Sequence, residues 1–265
     1  MTITFYNIPI FDWLALALLL VTWLAYTWFA DFSRWSINSL PKVMNVHRRR
    51  WMREMLERDL RMPDVVVMGH FVHSAVFFAS TAILIIGGLT ASLGASEKAI
   101  QAMTALPFMS PTTQALWELK IVSLICAFIY AFVKFIWAMR LANYSSVLFN
   151  AMPIISRDKS DQIAVELGKM TGLFAQHFNQ GLRANFFALA LLGWWINTWF
   201  FIGSTAIVLW VVYRREFRSQ SLMIVNRLKQ LTDPTPEIDT RFQANTKTSE
   251  ENMADTTTSF KLGAI

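Results

Sequence analysis

The stretch IFDWLALALLLVTWLAYTWFA, residues 10–30, carries a single charged side chain, Asp12, close to its start. A hydrocarbon core of roughly 30 Å requires about 20 apolar residues at 1.5 Å rise per residue, so this stretch is long enough to cross a membrane. Residues 71–93 and 116–139 meet the same requirement, and Ser110 with Pro111 predicts the helix start of the latter. The sequence therefore predicts an all-α, polytopic transmembrane helix bundle.

The composition agrees with a lipid environment. Hydrophobic residues make up 54% of the 265 residues and charged residues 16%, whereas a soluble domain carries about 25% charge. The net charge is +6, but the basic residues flank apolar segments, where they set topology and contact anionic headgroups, so nucleic acid is not a predicted partner. Cys126 is the only cysteine, which excludes a disulfide within the chain, and its apolar surroundings predict a buried side chain.

Residues 184–213 are too long for one perpendicular span and too short for two full ones. Upstream of them, apolar residues recur at spacings of three and four from Ile163 to Phe186, which predicts one continuous amphipathic helix. We therefore expect a fourth span over residues 173–195, a turn at 196–198 and a fifth span over 199–213, with four spans as the alternative. Around that turn, an interfacial aromatic belt is expected of Trp194, Trp195 and Trp199.

The distribution of basic residues predicts the orientation. Residues 31–64 hold eight Lys or Arg, whereas residues 94–115 hold only Lys98. By the positive-inside rule the first segment is cytoplasmic and the second is outside, so the N-terminus starts outside. The basic run YRREFR, residues 213–218, falls inside only if there are five spans. This pattern favours five spans and a cytoplasmic C-terminus.

The rest of the chain is organised around one transmembrane domain, residues 1–229. Over about residues 41–62 we expect an amphipathic cytoplasmic segment, typical of a helix on the inner leaflet or of a solvated basic helix. One face of that segment carries Met44, His47, Trp51 and Met55. Residues 230–265 are polar and almost free of aromatic side chains, which predicts a disordered tail. Small residues spaced four apart predict close approach of another helix at Gly87 with Ala91 and at Gly88 with Ser92.

Six stretches of this sequence resemble the bacterial members of domain of unknown function family 599, which also has plant members. They are RRRWM (48–52), FFASTAILIIGGL (77–89), LWELK (116–120), YAFVKFIWAMRLANYSSVL (130–148), HFNQGLRANFFALALLGWW (177–195) and YRREFRS (213–219). The resemblance covers about residues 5–220, in order and at matching spacing. It implies a multi-pass membrane protein and supplies no activity.

No phosphate-binding loop, dinucleotide fingerprint, HExxH or GxSxG motif is present, so no catalytic residue, metal ligand or cofactor is predicted. Charged residues near the outer ends of the spans require a separate explanation because membrane burial of charge is costly. Asp12, Glu118 and Lys120 are expected to act as interfacial anchors, with an ion pair between Lys120 and Asp12 as the alternative.

Polar side chains concentrate toward the cytoplasmic ends of the second, third and fourth spans, where they predict a net-positive pocket. The candidate ligand-binding residues are His70, His73, Lys134, Arg140, Asn143, Tyr144, His177, Asn179 and Arg183. The alternative is an internal hydrogen-bond network. Gln176, Asn179 and Arg183 share one side of the fourth helix. A buried guanidinium needs a counter-charge, so Arg183 is expected to contact Asp31 or to hold an anion together with Arg140 or Lys134.

These features predict a protein of the bacterial inner membrane that binds an anionic lipid headgroup or a small solute at its cytoplasmic face, with transport as an extension of that role. A structural or assembly partner of another membrane protein, or a homo-oligomer, is the alternative. A membrane-embedded enzyme is favoured less, and His177 with Tyr144 is the one pair available to it. The sequence leaves enzymatic activity open and favours its absence.

Overall fold

The computed structural model describes residues 4–5, 8–104, 112–154 and 157–232. It confirms the predicted all-α class and adds one antiparallel hairpin of β1 (Thr4–Phe5) and β2 (Ile8–Pro9). The helices are α1 (Ile10–Phe32), α2 (Leu40–Leu56), α3 (Met62–Gly94), α4 (Ser96–Thr104), α5 (Gln114–Ala151), α6 (Arg157–Leu192), α7 (Thr198–Phe217) and α8 (Gln220–Thr232).

By its internal contacts the chain divides into two compact units, Met1–Leu222 and Met223–Ile265. The described part of the second unit is the end of α8, which is helical through Thr232. The predicted disordered tail was placed from residue 230, so its first residues are helical. The remainder of that tail, residues 233–265, lies outside the described residues.

Three helices, α1, α3 and α5, are each long and apolar enough to cross a membrane, as predicted. Helix α5 begins at Gln114 because the Thr113 hydroxyl accepts a hydrogen bond from the Leu116 amide, at 3.3 Å. The predicted helix start at Ser110 and Pro111 is therefore wrong, and both residues lie outside the described ones. Thr113 is the hydroxyl nearest the apolar run, and it satisfies the first free amide.

The predicted turn between the fourth and fifth segments is confirmed as a break in the helix. Helix α6 ends at Leu192 and a 3-10 turn, Gly193–Trp195, follows. The Asn197 side chain then accepts a hydrogen bond from the Phe200 amide at 2.6 Å and so caps α7. A Cβ at Gly193 would lie 2.6 Å from Ser204 Oγ, so this turn has room only for glycine. The two helices are separate elements.

The tryptophans at this turn do not form the expected belt. Trp194 and Trp195 are buried in the protein core, and only Trp199 is exposed. The Trp194 ring stacks on Phe201 with 5.0 Å between centroids, and Trp195 meets Trp117 edge to face. The belt prediction is wrong for the two buried residues because the 3-10 turn directs their rings inward.

Helix α5 makes the most extensive packing contacts among the described helices, and its two main neighbours are α3 and α6. A Cβ at Gly181 of α6 would lie 2.7 Å from the Phe135 ring of α5, so glycine is what allows the two helices to meet there. Phe135 also stacks on Phe78 of α3 at 5.2 Å between centroids. Helix α7 packs against α6 and α1.

Helix α2 covers residues 40–56 of the amphipathic segment predicted over 41–62, and it packs against α6. Its buried residues include Met52, Met55 and Leu56. Of the face that was expected to meet lipid or water, which carries Met44, His47, Trp51 and Met55, only Met55 is buried. The approach is close because a Cβ at Gly168 of α6 would lie 2.7 Å from Arg49 Cγ. Glycine at this position therefore brings the arginines of α2 onto the transmembrane bundle.

One smaller prediction about packing is wrong, and a second is not met among the described helices. Cys126 is exposed on the surface of the bundle rather than buried, because the face of α5 on which it lies points away from the neighbouring helices. A Cβ built at Gly87 or Gly88 meets no atom within 4 Å, so no helix in the described part of the chain approaches there.

Candidate anion-binding site around Arg183 and Arg48

A buried guanidinium joins three helices at one end of the bundle. Arg183 of α6 donates to Asp31 of α1, with 2.9 Å between Nη1 and Oδ1, and to Glu216 of α7, with 2.8 Å between Nε and Oε1. The three side chains are 4%, 6% and 11% exposed, respectively. The predicted contact between Arg183 and Asp31 is therefore confirmed, and Glu216 is a second counter-charge that the sequence analysis missed.

Two neutral side chains complete this Arg183 cluster. Gln180 Nε2 donates to Asp31 Oδ2 at 2.6 Å, and the Tyr26 hydroxyl donates to Glu216 Oε2 at 3.0 Å. The Tyr26 ring also faces the Arg183 guanidinium, 5.8 Å from its centroid. Two carboxylates thus surround one guanidinium, and the charge of Arg183 is fully compensated from within the protein.

A cavity of about 350 Å³ lies beside this cluster, where α2 meets α6 and the end of α1. Its charged lining consists of one carboxylate and five cations, which are Asp31, Lys42, Arg48, Arg49, Lys169 and Arg183. Gln176, Asn179 and Arg183 all line it, which agrees with their predicted position on one side of the helix. We call this space the Arg48 cavity.

A second cavity, of about 210 Å³, lies on the other side of Arg48. Arg48, Asn179 and Arg183 line both spaces, and Glu216 with Arg215 of α7 lines the smaller one. Arg48 of α2 therefore stands between two openings beside the Arg183 cluster.

The cations that α2 contributes to the Arg48 cavity are not compensated as Arg183 is. Lys42 donates to the Ser33 carbonyl at 3.2 Å, and Arg48 donates to the Asn45 side-chain oxygen at 2.7 Å. Among the described residues, none of Lys42, Arg48 and Arg49 forms an ion pair. Burial lowers the pKa of the Arg48 guanidinium, because desolvation disfavours its charged form. An anion in the cavity would offset that cost.

The structure brings some of the sequence-predicted site residues together and separates others. Asn179 and Arg183 line the Arg48 cavity, and electrostatic interactions connect His177 with Lys134 and Asp31. Exposed positions elsewhere on α3 and α5 are occupied by His70, His73, Arg140, Asn143 and Tyr144. The Tyr144 hydroxyl accepts a hydrogen bond from Arg140 Nη2 at 3.2 Å. The nine-residue ligand set as a whole stays a prediction.

The sequence analysis missed the cations of α2 as site residues. Arg48 and Arg49 were counted only for the orientation of the chain, because nothing in the local sequence indicates which transmembrane helix covers α2. The available signal was a pair of glycines, Gly168 and Gly172, spaced four apart on α6, where they face α2.

The opposite end of the bundle also buries charge. Lys120 of α5 and Asp12 of α1 are 2% and 4% exposed, so they are enclosed by protein and the prediction that they act as interfacial anchors is wrong for both. Glu118 is exposed, and its Oε1 accepts a hydrogen bond from Gln114 at 3.0 Å. Asp12 and Lys120 interact electrostatically and line a common cavity. This agrees in part with the alternative prediction, which was an ion pair between the two residues.

The part of the chain that the structure describes contains no metal-binding arrangement of side chains. No three His, Cys, Asp or Glu side chains come together there in a group that could hold a metal ion. The chemistry available around Arg183 and Arg48 is charge pairing and hydrogen bonding.

Apolar helices of spanning length, with charged clusters enclosed between them, define an integral membrane protein. Within that class, the chain belongs to the family described as "Protein of unknown function, DUF599", whose model matches residues 14–221. The resemblance inferred from the six sequence stretches is thereby confirmed. No curated protein and no solved structure matches the chain.

Proposed function

We propose that this membrane protein binds a phosphate-bearing anion, either an anionic lipid headgroup or a small solute, in the Arg48 cavity. One observation carries the proposal: Lys42, Arg48 and Arg49 line a cavity of about 350 Å³ and form no ion pair among the described residues. Guanidinium groups bind phosphate through paired hydrogen bonds, and a lysine adds a point charge.

The Arg183 cluster supports the proposal in a different way. The oxygens of Asp31 accept hydrogen bonds from Arg183 and Gln180, and Asp31 forms no ion pair with the described cations of α2. Arg183 in turn positions one wall of the cavity, since it fixes α6 against α1 and α7. We therefore assign Arg48 the role of contacting the ligand and Arg183 the role of positioning.

The test uses the full-length protein purified in detergent and probed with phosphatidylglycerol and, separately, with inorganic phosphate. Retention of phosphatidylglycerol, measured by native mass spectrometry, should fall about tenfold in Arg48→Gln, because a charge-assisted hydrogen bond is lost. Arg140→Gln is the matched control, because this exposed arginine lies outside the Arg48 cavity.

The two probes separate the two sources of the anion. Retained phosphatidylglycerol that depends on Arg48 assigns a lipid headgroup, whereas thermal stabilisation by inorganic phosphate alone assigns a small solute. Equal binding of both probes by the wild-type protein, Arg48→Gln and Arg140→Gln would rule out the cavity as an anion site.

We further propose that α1, α3, α5, α6 and α7 all cross the bacterial inner membrane, with the N-terminus outside and the C-terminus cytoplasmic. The separation of α6 from α7 at Gly193–Trp195 and the basic residues Arg214 and Arg215 at the end of α7 support five crossings. The Arg48 cavity would then face the cytoplasm.

Reporter fusions test this topology. A fluorescent protein fused after Arg218 should be fluorescent and a phosphatase fused there should be inactive, because the first folds in the cytoplasm and the second requires the periplasm. The matched control is the same pair of reporters fused after Thr113, where the opposite result is expected. An active phosphatase after Arg218 would exclude five crossings.

A further inference from the structure

A second cavity with different chemistry lies at the end of the bundle opposite the Arg183 cluster. Its volume is about 350 Å³, and residues from α1, α5, the 3-10 turn and α7 line it. Both of its charged lining residues, Asp12 and Lys120, are more than nine-tenths buried. We call this space the Lys120 cavity.

The Lys120 ammonium is held by aromatic faces rather than by a counter-ion. Its Nζ lies 5.7 Å from the centroid of the Trp194 ring and 5.9 Å from that of Trp195. Among the described residues, no hydrogen bond or ion pair occupies this ammonium. A buried cation with unused donors, lining a cavity, is suited to accept an anionic group.

Asp12 presents the complementary charge to the same cavity. Its Oδ1 accepts hydrogen bonds from Trp194 Nε1 at 2.6 Å and from Thr198 Oγ1 at 2.7 Å. Its second oxygen, Oδ2, accepts none from the described residues. The carboxylate is thus fixed in orientation while one oxygen keeps its capacity to accept a hydrogen bond.

These two charges select the ligand class. An anion would be attracted by Lys120 but repelled by Asp12, and a cation would be attracted by Asp12 but repelled by Lys120. A zwitterion pairs with both, because its acidic group accepts from Lys120 and its ammonium donates to Asp12. An ammonium is further attracted to the face of an aromatic ring, and Trp199 lines the cavity with 76% of its surface exposed.

The position of the cavity in the bundle points to the source of this zwitterion. Asp12 lies in the first turn of α1, and Lys120 lies near the start of α5. The ends of apolar, spanning helices lie at the level of the lipid headgroups. Phe11 and Ile202 add apolar lining, along which the upper part of an acyl chain can lie.

We propose that the Lys120 cavity binds a zwitterion in which a primary ammonium and a phosphate or carboxylate are joined by a short linker. A phosphatidylethanolamine headgroup supplies this chemistry from the membrane, and soluble phosphoethanolamine supplies it from water. The site is independent of the Arg48 cavity, since the two share no lining residue.

The test uses the full-length protein with phosphatidylethanolamine and phosphatidylglycerol of identical acyl chains, compared by native mass spectrometry. The wild-type protein should retain phosphatidylethanolamine at this site in preference to phosphatidylglycerol. Lys120→Met and Asp12→Asn should each lower that retention about tenfold, because each removes one charged partner. Glu118→Gln is the matched control, because this neighbouring carboxylate is exposed and lies outside the cavity.

Two further arms complete the experiment. Binding of soluble phosphoethanolamine, without retention of the lipid, would assign the zwitterion to water rather than to the membrane. Arg48→Gln should leave retention of phosphatidylethanolamine unchanged, so failure at the Arg48 cavity and failure here are distinguishable. Equal retention of the two lipids by the wild-type protein, with no binding of phosphoethanolamine, overturns the proposal and requires no variant to fold.

Discussion

The two ends of the bundle bury charge in opposite ways. At one end, Arg183 meets two carboxylates, and all of its charge is compensated by protein. At the other, Lys120 lies over two tryptophan rings while Asp12 is hydrogen-bonded to Trp194 and Thr198. In the first arrangement the hydrogen bonds of the charged groups join three helices. In the second, hydrogen-bonding groups of Lys120 and Asp12 remain unused and face a cavity.

This difference separates a positioning role from a binding role. A buried guanidinium with two hydrogen-bonded carboxylates has little left to offer a ligand, although it is the residue that sequence reasoning selects first. The groups with unused capacity are Lys120 at one end and the arginines of α2 at the other. Burial alone therefore does not identify a ligand-binding residue in this protein.

The largest effect is expected from breaking the compensated cluster. Arg183→Met leaves Asp31 and Glu216 buried without their shared partner, and such a loss costs about 3–5 kcal/mol. Thermal unfolding of the detergent-purified protein measures it, and Arg140→Met, at an exposed position, should cost less than about 0.5 kcal/mol. Equal unfolding temperatures for the two variants would show that the cluster contributes nothing to stability.

An intermediate effect is expected between the two ends, where α5 and α6 make close contact. Gly181→Ala places a Cβ 2.7 Å from the rigid Phe135 ring, and overpacking of this kind costs about 1–3 kcal/mol. Gly203→Ala of α7 is the matched control, because a Cβ there meets no atom within 4 Å and alanine favours the helix. In the same assay, the unfolding temperature of Gly181→Ala should be well below that of Gly203→Ala. The reverse order would contradict the contact between Gly181 and Phe135.

The smallest effect on stability is expected at the uncompensated end. Lys120→Met removes a charge that has no ion-pair partner among the described residues, so the cost comes from the cation–π contacts, about 0.5–2 kcal/mol, together with the longer-range attraction to Asp12. The ratio of this loss to that of Arg183→Met measures the difference between the two ends directly. A Lys120→Met variant as unstable as Arg183→Met would place Lys120 among the structural charges.

The sequence predicted the fold and one contact of the site for identifiable reasons. Apolar length reveals spanning helices, and the turn predicted at residues 196–198 followed from the length of the apolar stretch 184–213 and from the helical spacing upstream of it. The contact between Arg183 and Asp31 was predictable because few acidic residues exist at that depth. Each of these inferences needs only local composition and the position of a residue along its helix.

The remaining contacts depend on how helices are rotated about their axes. Glu216 was missed because topology places it near Arg183 in depth but does not reveal which face of α7 meets α6. Arg48 was missed because its partner surface exists only once α2 has packed on Gly168 and Gly172. Trp194 and Trp195 were wrongly assigned to the surface because the sequence does not show that they lie in a 3-10 turn. That turn points both rings into the protein core.

The Arg183 cluster also has a consequence for biosynthesis. Asp31 and Arg183 are separated by 152 positions along the chain, so α1 enters the membrane long before its partner is synthesised. At about 5–20 residues per second, that interval lasts roughly 8–30 s. Throughout it the Asp31 carboxylate lacks its partner Arg183, and Glu216 is made later still. The three-helix junction can close only after Glu216 has been synthesised, so nascent chains truncated before residue 183 should be held in the membrane by α1, α3 and α5 alone.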